Sequence, residues 1–280
     1  MKNLVLLLFV CMFQQSGWAQ LVNNKSFEGA NRPNRSPAFW YPCSSESTPD
    51  TQPFSYGVPL PADDGKTYMG IVTRSLPVEP FEVREDMETR LNLPMIAGFP
   101  YLISISLAHA DDMGYDDNNT FIWVNRPIKL TVYGGTESCL TEELLWQSPL
   151  VDNKEWIRFE EVIRPEMDNL RYLVFVATPG GNRATNGNIL IDNFDLIEEP
   201  LIIPSAFTPN GDGFNDQFFI KGIKPSSSLK VVSRDGDMAF ETEDYQNDWA
   251  GGDWPSGVYF YTLTNSIKGK TWKGEVSIIR

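Results

Sequence analysis

The sequence predicts an all-β chain in two parts. Residues 20–198 read as a β-sandwich or jelly roll, and residues 199–280 as a small β-sandwich. Three observations carry this. Helical periodicity is nearly absent along the 280 residues, while short strand-like runs recur between clusters of Gly, Pro, Asn and Asp. Apolar residues make up 41% of the chain and aromatics 12%, enough to build real cores. Gly and Pro, 21 and 20 in number, stay below a low-complexity level.

The elements follow in chain order. "MKNLVLLLFVCMFQQSGWAQ" has a basic Lys2, ten apolar residues from Leu4 to Phe13, and a small-x-small end at Gly17-Trp18-Ala19. This is the pattern of a secretory signal peptide over residues 1–19, cut after Ala19. The apolar run is too short for a permanent membrane helix, and Val10 is too bulky to precede a lipidated Cys11. No later segment reaches 18 apolar residues, so the mature chain is expected to be exported, at the cell surface or beyond, with no transmembrane segment.

Eight strands are then predicted at 68–73, 81–92, 101–109, 128–133, 144–147, 156–163, 170–177 and 189–197. Antiparallel strands at this spacing point to a sandwich or jelly roll. Residues 198–200, "EEP", close the domain as a linker. Four more strands are predicted at 217–221, 228–232, 258–263 and 274–279.

Charge and cysteine content narrow the function classes. The net charge is −14, which argues against nucleic acid or an anionic membrane surface as partner, since both call for a positive field. Only Cys43 and Cys139 remain after the leader. In an oxidising compartment they point to one disulfide, with two buried free thiols as the alternative; their spacing does not suit zinc. The single His109 shares strand parity with Ile103, Ile105 and Leu107, which places it at the end of an apolar face. G-x-S-x-G, P-loop and HExxH motifs are absent. The 37 Asp and Glu leave a carboxylate pair for glycoside hydrolysis open.

Several stretches carry chemistry. In "NILIDNFDLI", alternation puts Asp192 on one face with Leu190, Phe194 and Leu196. A carboxylate there must be paired, hydrogen-bonded or metal-bound. In "NNKSFEGA", Glu28 precedes a glycine turn and would meet Asp192 if the first and last strands are neighbours. "ADDMGYDDNN" gathers Asp111, Asp112, Asp116 and Asp117; it reads as a solvated loop, with a surface Ca²⁺ site as the sharper alternative. "TPNGDGFND" is a compact turn: Pro209 presets φ, Gly211 and Gly213 allow positive φ, and Asn210, Asp212, Asn215 and Asp216 can fold back onto backbone N–H groups. As a calcium loop it would begin at Thr208 and end at Phe219, lacking both the entry carboxylate and the bidentate Glu.

Two resemblances extend this reading. "LVNNKSFEG", "FWYPC", "GKTYMGI", "PYLISISLA", "EWIRFEEVIRP", "LRYLVFVA" and "ILIDNFDLI" together resemble the jelly-roll carbohydrate-binding modules of galactose-binding-like fold, over about 180 residues. The resemblance implies a structural Ca²⁺ held by Glu28, Asp192 and a carbonyl near Lys66. It also implies a glycan ligand, for which Trp40, Tyr41, Tyr56, Tyr115 and Trp123 are candidate platforms. The alternatives are a protein-binding adhesin or envelope component, and a small jelly-roll hydrolase.

The tail resembles a second family: "IIPSAFTPNGDGFNDQFFIKGI", "LKVVSRDG", "DYQNDWAGG", "WPSGVYFYTL" and the terminal "KGEVSIIR". It is similar to the gliding-motility-associated C-terminal domain of Bacteroidetes, the type B sorting domain of the type IX secretion system, with a small Ig-like sandwich fold. The segment from Phe207 to Asp216, comprising Phe207, Thr208, Pro209, Asn210, Gly211, Asp212, Gly213, Asn215 and Asp216, carries its motif. One departure is "SRDG" at 233–236, where the family has an Asn-Arg-Trp-Gly-like turn. The resemblance implies export through the type IX translocon, with a PorP/SprF-like outer-membrane protein as partner.

Overall fold

The computed structural model describes residues 20–75, 82–117, 119–181 and 185–280. The leader peptide expected at 1–19 lies outside them. Thirteen strands build the first part: β1 (Tyr41–Pro42), β2 (Asp50–Gln52), β3 (Tyr68–Ser75), β4 (Glu82–Arg84), β5 (Asp86–Met95), β6 (Tyr101–Ala108), β7 (Gly114–Asp117), β8 (Thr120–Trp123), β9 (Arg126–Gly135), β10 (Glu143–Gln147), β11 (Ile157–Ile163), β12 (Leu170–Pro179) and β13 (Gly187–Glu198). One antiparallel sheet runs β11-β6-β13-β3, with β2 and β4 sharing the outer edge of β3. The other runs β10-β9-β12-β5-β1, also antiparallel. A short parallel pairing of β13 with β9 joins them at Gly187 and Asn188.

The main core lies between the two sheets. Met69, Ile71, Ile103, Ile105, Leu107, Ile189 and Ile191 from the first sheet meet Met87, Leu130, Val132, Leu173 and Phe175 from the second. The aliphatic alternation of each run places these side chains on the inward face. Strand β3 is buried on both faces, because a second cluster covers the outside of its sheet: Tyr68, Val72, Ala108 and Leu190 pack under Val58, Met113 and Val124. This outer layer comes from the 53–67 loop and the β7–β8 hairpin, in which Gly114 pairs with Trp123 and Asp116 with Phe121. The acidic stretch predicted as a solvated loop is therefore a hairpin strand. Met113 and Val124, buried at the hairpin's ends, with Ile122 and Tyr115 partly buried beside them, anchor it over the sheet.

Strand β13 carries a bulge. Its pairing with β6 shifts register between Asp192 and Asp195, and Asn193 takes a left-handed φ of 47°. The extra residue reverses the alternation. Phe194 and Leu196 point into the main core with Ile189 and Ile191, whereas Leu190 points to the outer cluster. The expectation that Asp192 shares a face with Phe194 and Leu196 is thus corrected; it shares one with Leu190.

Cys43 and Cys139 are disulfide-bonded, with Cα atoms 5.3 Å apart and 96 residues of separation. In the chain-entropy treatment a loop of this length contributes about 4 to 5 kcal/mol as an upper expectation. Thiol titration of the exported protein, unfolded without reductant, should find no reactive thiol. Two would overturn the bond.

The second part has five strands, β14 (Ala206–Phe207), β15 (Ser227–Val232), β16 (Met238–Thr242), β17 (Gly257–Asn265) and β18 (Lys270–Ile278), in the order β14-β18-β17-β15-β16. The strand predicted at 217–221 is instead an extended segment with one isolated bridge, Ile202 to Lys221. Phe218 and Ile220 drop into the core from it, against Phe207, Tyr245 and Trp249. This segment and residues 244–254 supply the layer facing the sheet. The β15–β16 turn closes without the family's Trp: the Ser233 N–H donates to the Asp237 carbonyl at 2.8 Å, and Gly236 takes φ 93°. Around the 198–200 segment, Glu198 pairs with Lys268 at 2.6 Å and the Glu199 N–H donates to the Pro100 carbonyl at 2.8 Å.

Candidate functional site

Two sites stand out, both on the outer face of the β3 sheet. The first is a cavity of about 230 Å³ lined by Asn34, Thr48, Asp50, Tyr56, Val72, Arg74, Glu85, Met113, Tyr115 and Val124. Strands β2 and β3 supply Asp50, Val72 and Arg74, the β4–β5 junction supplies Glu85, and the hairpin brings Tyr115. Tyr56 rides on a single turn at Ser55–Gly57 whose backbone is unusual: Phe54 and Tyr56 have φ of 75° and 51°. Left-handed non-glycine residues of this kind cost roughly 1–3 kcal/mol each and gather at ligand sites. The Tyr56 and Tyr115 rings meet edge to face at 5.9 Å between centroids, and the Tyr56 hydroxyl donates to Asn34 Oδ1 at 3.1 Å.

The charged groups of the cavity differ in what holds them. Glu85 is buried and fully engaged. Its Oε1 accepts from the Thr48 N–H and hydroxyl at 3.1 and 3.0 Å, its Oε2 from the Val72 N–H at 3.0 Å, and Arg74 lies at 3.5 Å. Burial still pushes its carboxyl up, opposed by Arg74 and these donors. Asp50 is only 3% exposed and accepts one N–H, from Asn34 at 2.7 Å. Burial pushes it up to about 8, with Glu85 adding to the effect and Asn34 and Arg74 opposing it.

The second site is the loop at 63–67, which Glu28 and Asp192 clasp from opposite ends of the domain. Asp192 is fully buried; its Oδ2 accepts the N–H groups of Asp63 and Asp64 at 2.8 and 2.9 Å, and its Oδ1 that of Asn193 at 2.7 Å. Glu28 Oε1 accepts from Lys66 and Thr67 at 2.7 and 3.2 Å. Gly65 has φ 70°, and a Cβ there would overlap Glu28 Oε1, so the loop is shaped around this carboxylate. Asp192 thus finds backbone N–H donors rather than a basic side chain. Burial outweighs them and pushes its carboxyl up to about 7.

A calcium ion at Glu28 and Asp192 is compatible with this donor set. Glu28 and Asp192 bring hard carboxylate oxygens to this loop, and the buried Asp192 has no cation beside it among the described residues. Lys66 donates its N–H to Glu28 at 2.7 Å. Among the described residues one trio of Cys, His or carboxylate ligand atoms lies within 4.8 Å, Cys43, Glu88 and Cys139, where the sulfurs are bonded to each other. The remaining oxygens around a calcium would therefore be backbone or hydroxyl.

Of the predicted aromatic platforms, Tyr56 and Tyr115 are brought together at the cavity. Trp40 is corrected: it is 1% exposed, wedged against Phe27 and Phe175 at 4.8 and 4.9 Å. Tyr41 is exposed on β1 beside Phe39. Trp123 is half exposed and packs edge to face on Phe121 at 4.6 Å. His109 is buried outside the cavity, its Nδ1 3.3 Å from the Asn188 carbonyl. Asp50, Arg74 and Glu85 were not singled out from sequence, because nothing local distinguishes a charged residue that becomes buried.

In the tail, Asp216 organises the motif turn. It accepts the N–H groups of Gly211, Gly213 and Asn210 at 2.7, 2.8 and 3.0 Å, which hold its carboxyl below the usual range. Asp212 Oδ1 caps the Phe214 N–H at 2.7 Å, and Asn210 Oδ1 the Asp212 N–H at 3.1 Å. Gly211 and Gly213 take φ 79° and 87°. Phe207 is buried against Trp249 at 5.1 Å, the Thr208 N–H donates to the Asn215 carbonyl at 2.7 Å, and the Arg280 Nη1 reaches back to the Pro209 carbonyl at 3.3 Å.

Residues 201–278 match the CHU_C Type IX secretion signal domain. The signal domain marks the chain for export, and no helix among the described residues is long and apolar enough to cross a membrane. No curated protein matches the chain. Among solved structures, the chain is similar to the Stig cyclase FisC from Fischerella sp. TAU (15% identity, TM-score 0.44, covering 65% of this chain and 97% of that one). It is also similar to the K3 cleaved adhesin domain of Lys-gingipain from Porphyromonas gingivalis W83 (14%, 0.41, 64% and 99%), and to TmCBM61 in complex with β-1,4-galactotriose (12%, 0.38, 64% and 99%). Likenesses at this level carry no argument about chemistry.

Proposed function

We propose that the chain is an exported, non-catalytic glycan-binding protein whose ligand site is the Tyr56–Tyr115 cavity. The observation that carries this reading is the meeting of two tyrosines, 59 positions apart in sequence, with Asn34, Asp50, Arg74 and Glu85 around one concave space. Aromatic walls with a few converging polar groups are the usual make-up of a small-ligand site, and the volume suits a single sugar ring rather than an extended chain. Non-catalysis is supported by Glu85: glycoside hydrolysis uses two available carboxyl groups, and this one is held by backbone, hydroxyl and guanidinium donors. The signal domain delivers the protein through the type IX translocon, with a PorP/SprF-like outer-membrane protein as partner. A glycan array probed with the wild type should give signals that Tyr56→Ala and Tyr115→Ala each weaken about tenfold, a loss of ~1.4 kcal/mol. An array without signal would favour the protein-binding adhesin reading, for which the exposed Phe121 and Trp123 offer a contact.

The same reading includes a structural calcium ion at Glu28 and Asp192. When bound, it supplies the positive charge that buried Asp192 lacks and ties the first and last segments of the sandwich to the 63–67 loop. Calcium should raise the melting temperature of the full chain, by about 2.7 kcal/mol of stability at a hundredfold excess over Kd. Without calcium, Asp192 has a folded pKa near 7, above its unfolded value near 3.9. The folded state then binds more protons than the unfolded one between these values, so stability falls as pH rises through that window, by up to roughly 4 kcal/mol. Asp192→Asn should remove this contribution and the calcium response together. Equal melting with chelator and with millimolar Ca²⁺ would refute the ion.

A further inference from the structure

We infer that the Tyr56–Tyr115 cavity selects a sugar carrying a protonated amine. The inference rests on the glycan reading of this cavity and narrows its ligand class. Two carboxylates, Asp50 and Glu85, line the cavity, with one cation, Arg74. Glu85 takes that cation at 3.5 Å along with three neutral donors. Asp50 is left with the single Asn34 N–H and no basic partner among the described residues. It is a buried carboxyl lining the cavity, and the Arg74 guanidinium near it is bonded to Glu46 and Glu85 instead. An ammonium group placed there would provide a countercharge, with the Tyr56 and Tyr115 rings alongside to favour a cation over a neutral group.

Arg74 commits its Nη2 to the Glu46 carbonyl at 2.8 Å and to Glu85. Its Nε is buried with no hydrogen-bond partner. An amino sugar offers the ammonium that Asp50 calls for on a ring of the size the cavity holds.

The groups facing Asp50 fix the proton balance. Glu85 raises its carboxyl and Arg74 lowers it, while burial pushes the Tyr56 phenol up. Burial is the largest influence, so it favours the neutral acid form of Asp50. Binding an ammonium ion converts the acid to a carboxylate paired with that ammonium, and the displaced proton passes to the buffer. No other bond is made or broken.

The test is calorimetry on the full chain at pH 6 with glucosamine, N-acetylglucosamine and glucose, each in two buffers of different ionisation enthalpy. Glucosamine should bind at least about tenfold tighter than the two neutral sugars and release roughly one proton per site. Asp50→Asn should erase the preference for glucosamine over the neutral sugars and the proton release with it. Proton release by the wild type reads the inference even if that variant folds poorly. Equal affinity for the three sugars would overturn amine selection and leave the glycan reading standing. Binding of none of the three, alongside a silent glycan array, would remove the glycan reading itself and the inference with it.

Discussion

A chain ending at Pro200 should accumulate in the periplasm, while a reporter flanked by residues 1–20 and 201–280 should leave the cell. The expectation rests on the signal domain at 201–278 and on its independent core. Phe207, Phe218, Leu229, Val231, Tyr245, Trp249 and Ile278 form a cluster separate from that of the sandwich. Truncation therefore removes the address without opening the ligand domain. The interactions it severs are peripheral, among them the Lys268–Glu198 pair and the Lys268 ammonium 5.4 Å over the Phe99 ring. A far-ultraviolet spectrum and melting curve of the truncated protein should stay cooperative and β-rich, which separates a sorting defect from a folding one. Normal surface delivery of the truncated chain would sink the assignment.

Trp40→Ala should destabilise the sandwich by about 3–5 kcal/mol. The indole is buried between Phe27, Phe175 and Phe194, and its Nε1–H donates to the Asn24 carbonyl at 3.2 Å. Removing it leaves a large cavity and takes from the Asn24 carbonyl one of its two N–H donors, the other being Phe27, in the segment that also positions Glu28. Against a typical total of roughly 5–15 kcal/mol, such a loss removes much of the domain's stability. Trp40→Phe should cost less, since it keeps part of the ring packing. Urea unfolding reads both. If Trp40 were a sugar platform the pattern would reverse, with stability almost unchanged and binding lost.

Much of the architecture was legible in the sequence because strand signals are local. Alternating runs such as "YLISISLA" and "LRYLVFVA" fall where β6 and β12 form, since side chains two apart share a face whatever the distant fold. The hairpin at 114–123 was missed because its first strand is acidic; what makes it a strand is the sheet beneath it, onto which Met113 and Val124 pack. The predicted strand at 217–221 failed for the complementary reason: its aromatic run packs Phe218 into a core as loop.

The sequence by itself determined the β class and the terminal signal domain. It also picked out the turn that Asp216 closes on its own backbone, all features encoded in residues close along the chain. Tertiary structure alone decided which face Asp192 occupies, because one extra residue at Asn193 reverses an alternation that the local pattern presents as continuous. It alone buried Trp40, and it alone brought Asp50, Tyr56, Arg74, Glu85 and Tyr115 around one cavity. Residues that far apart have no shared local signal. Their meeting follows from which strands pair and what covers the sheet, and the burial that sets the charge state of Asp50 exists only once the chain has folded over it.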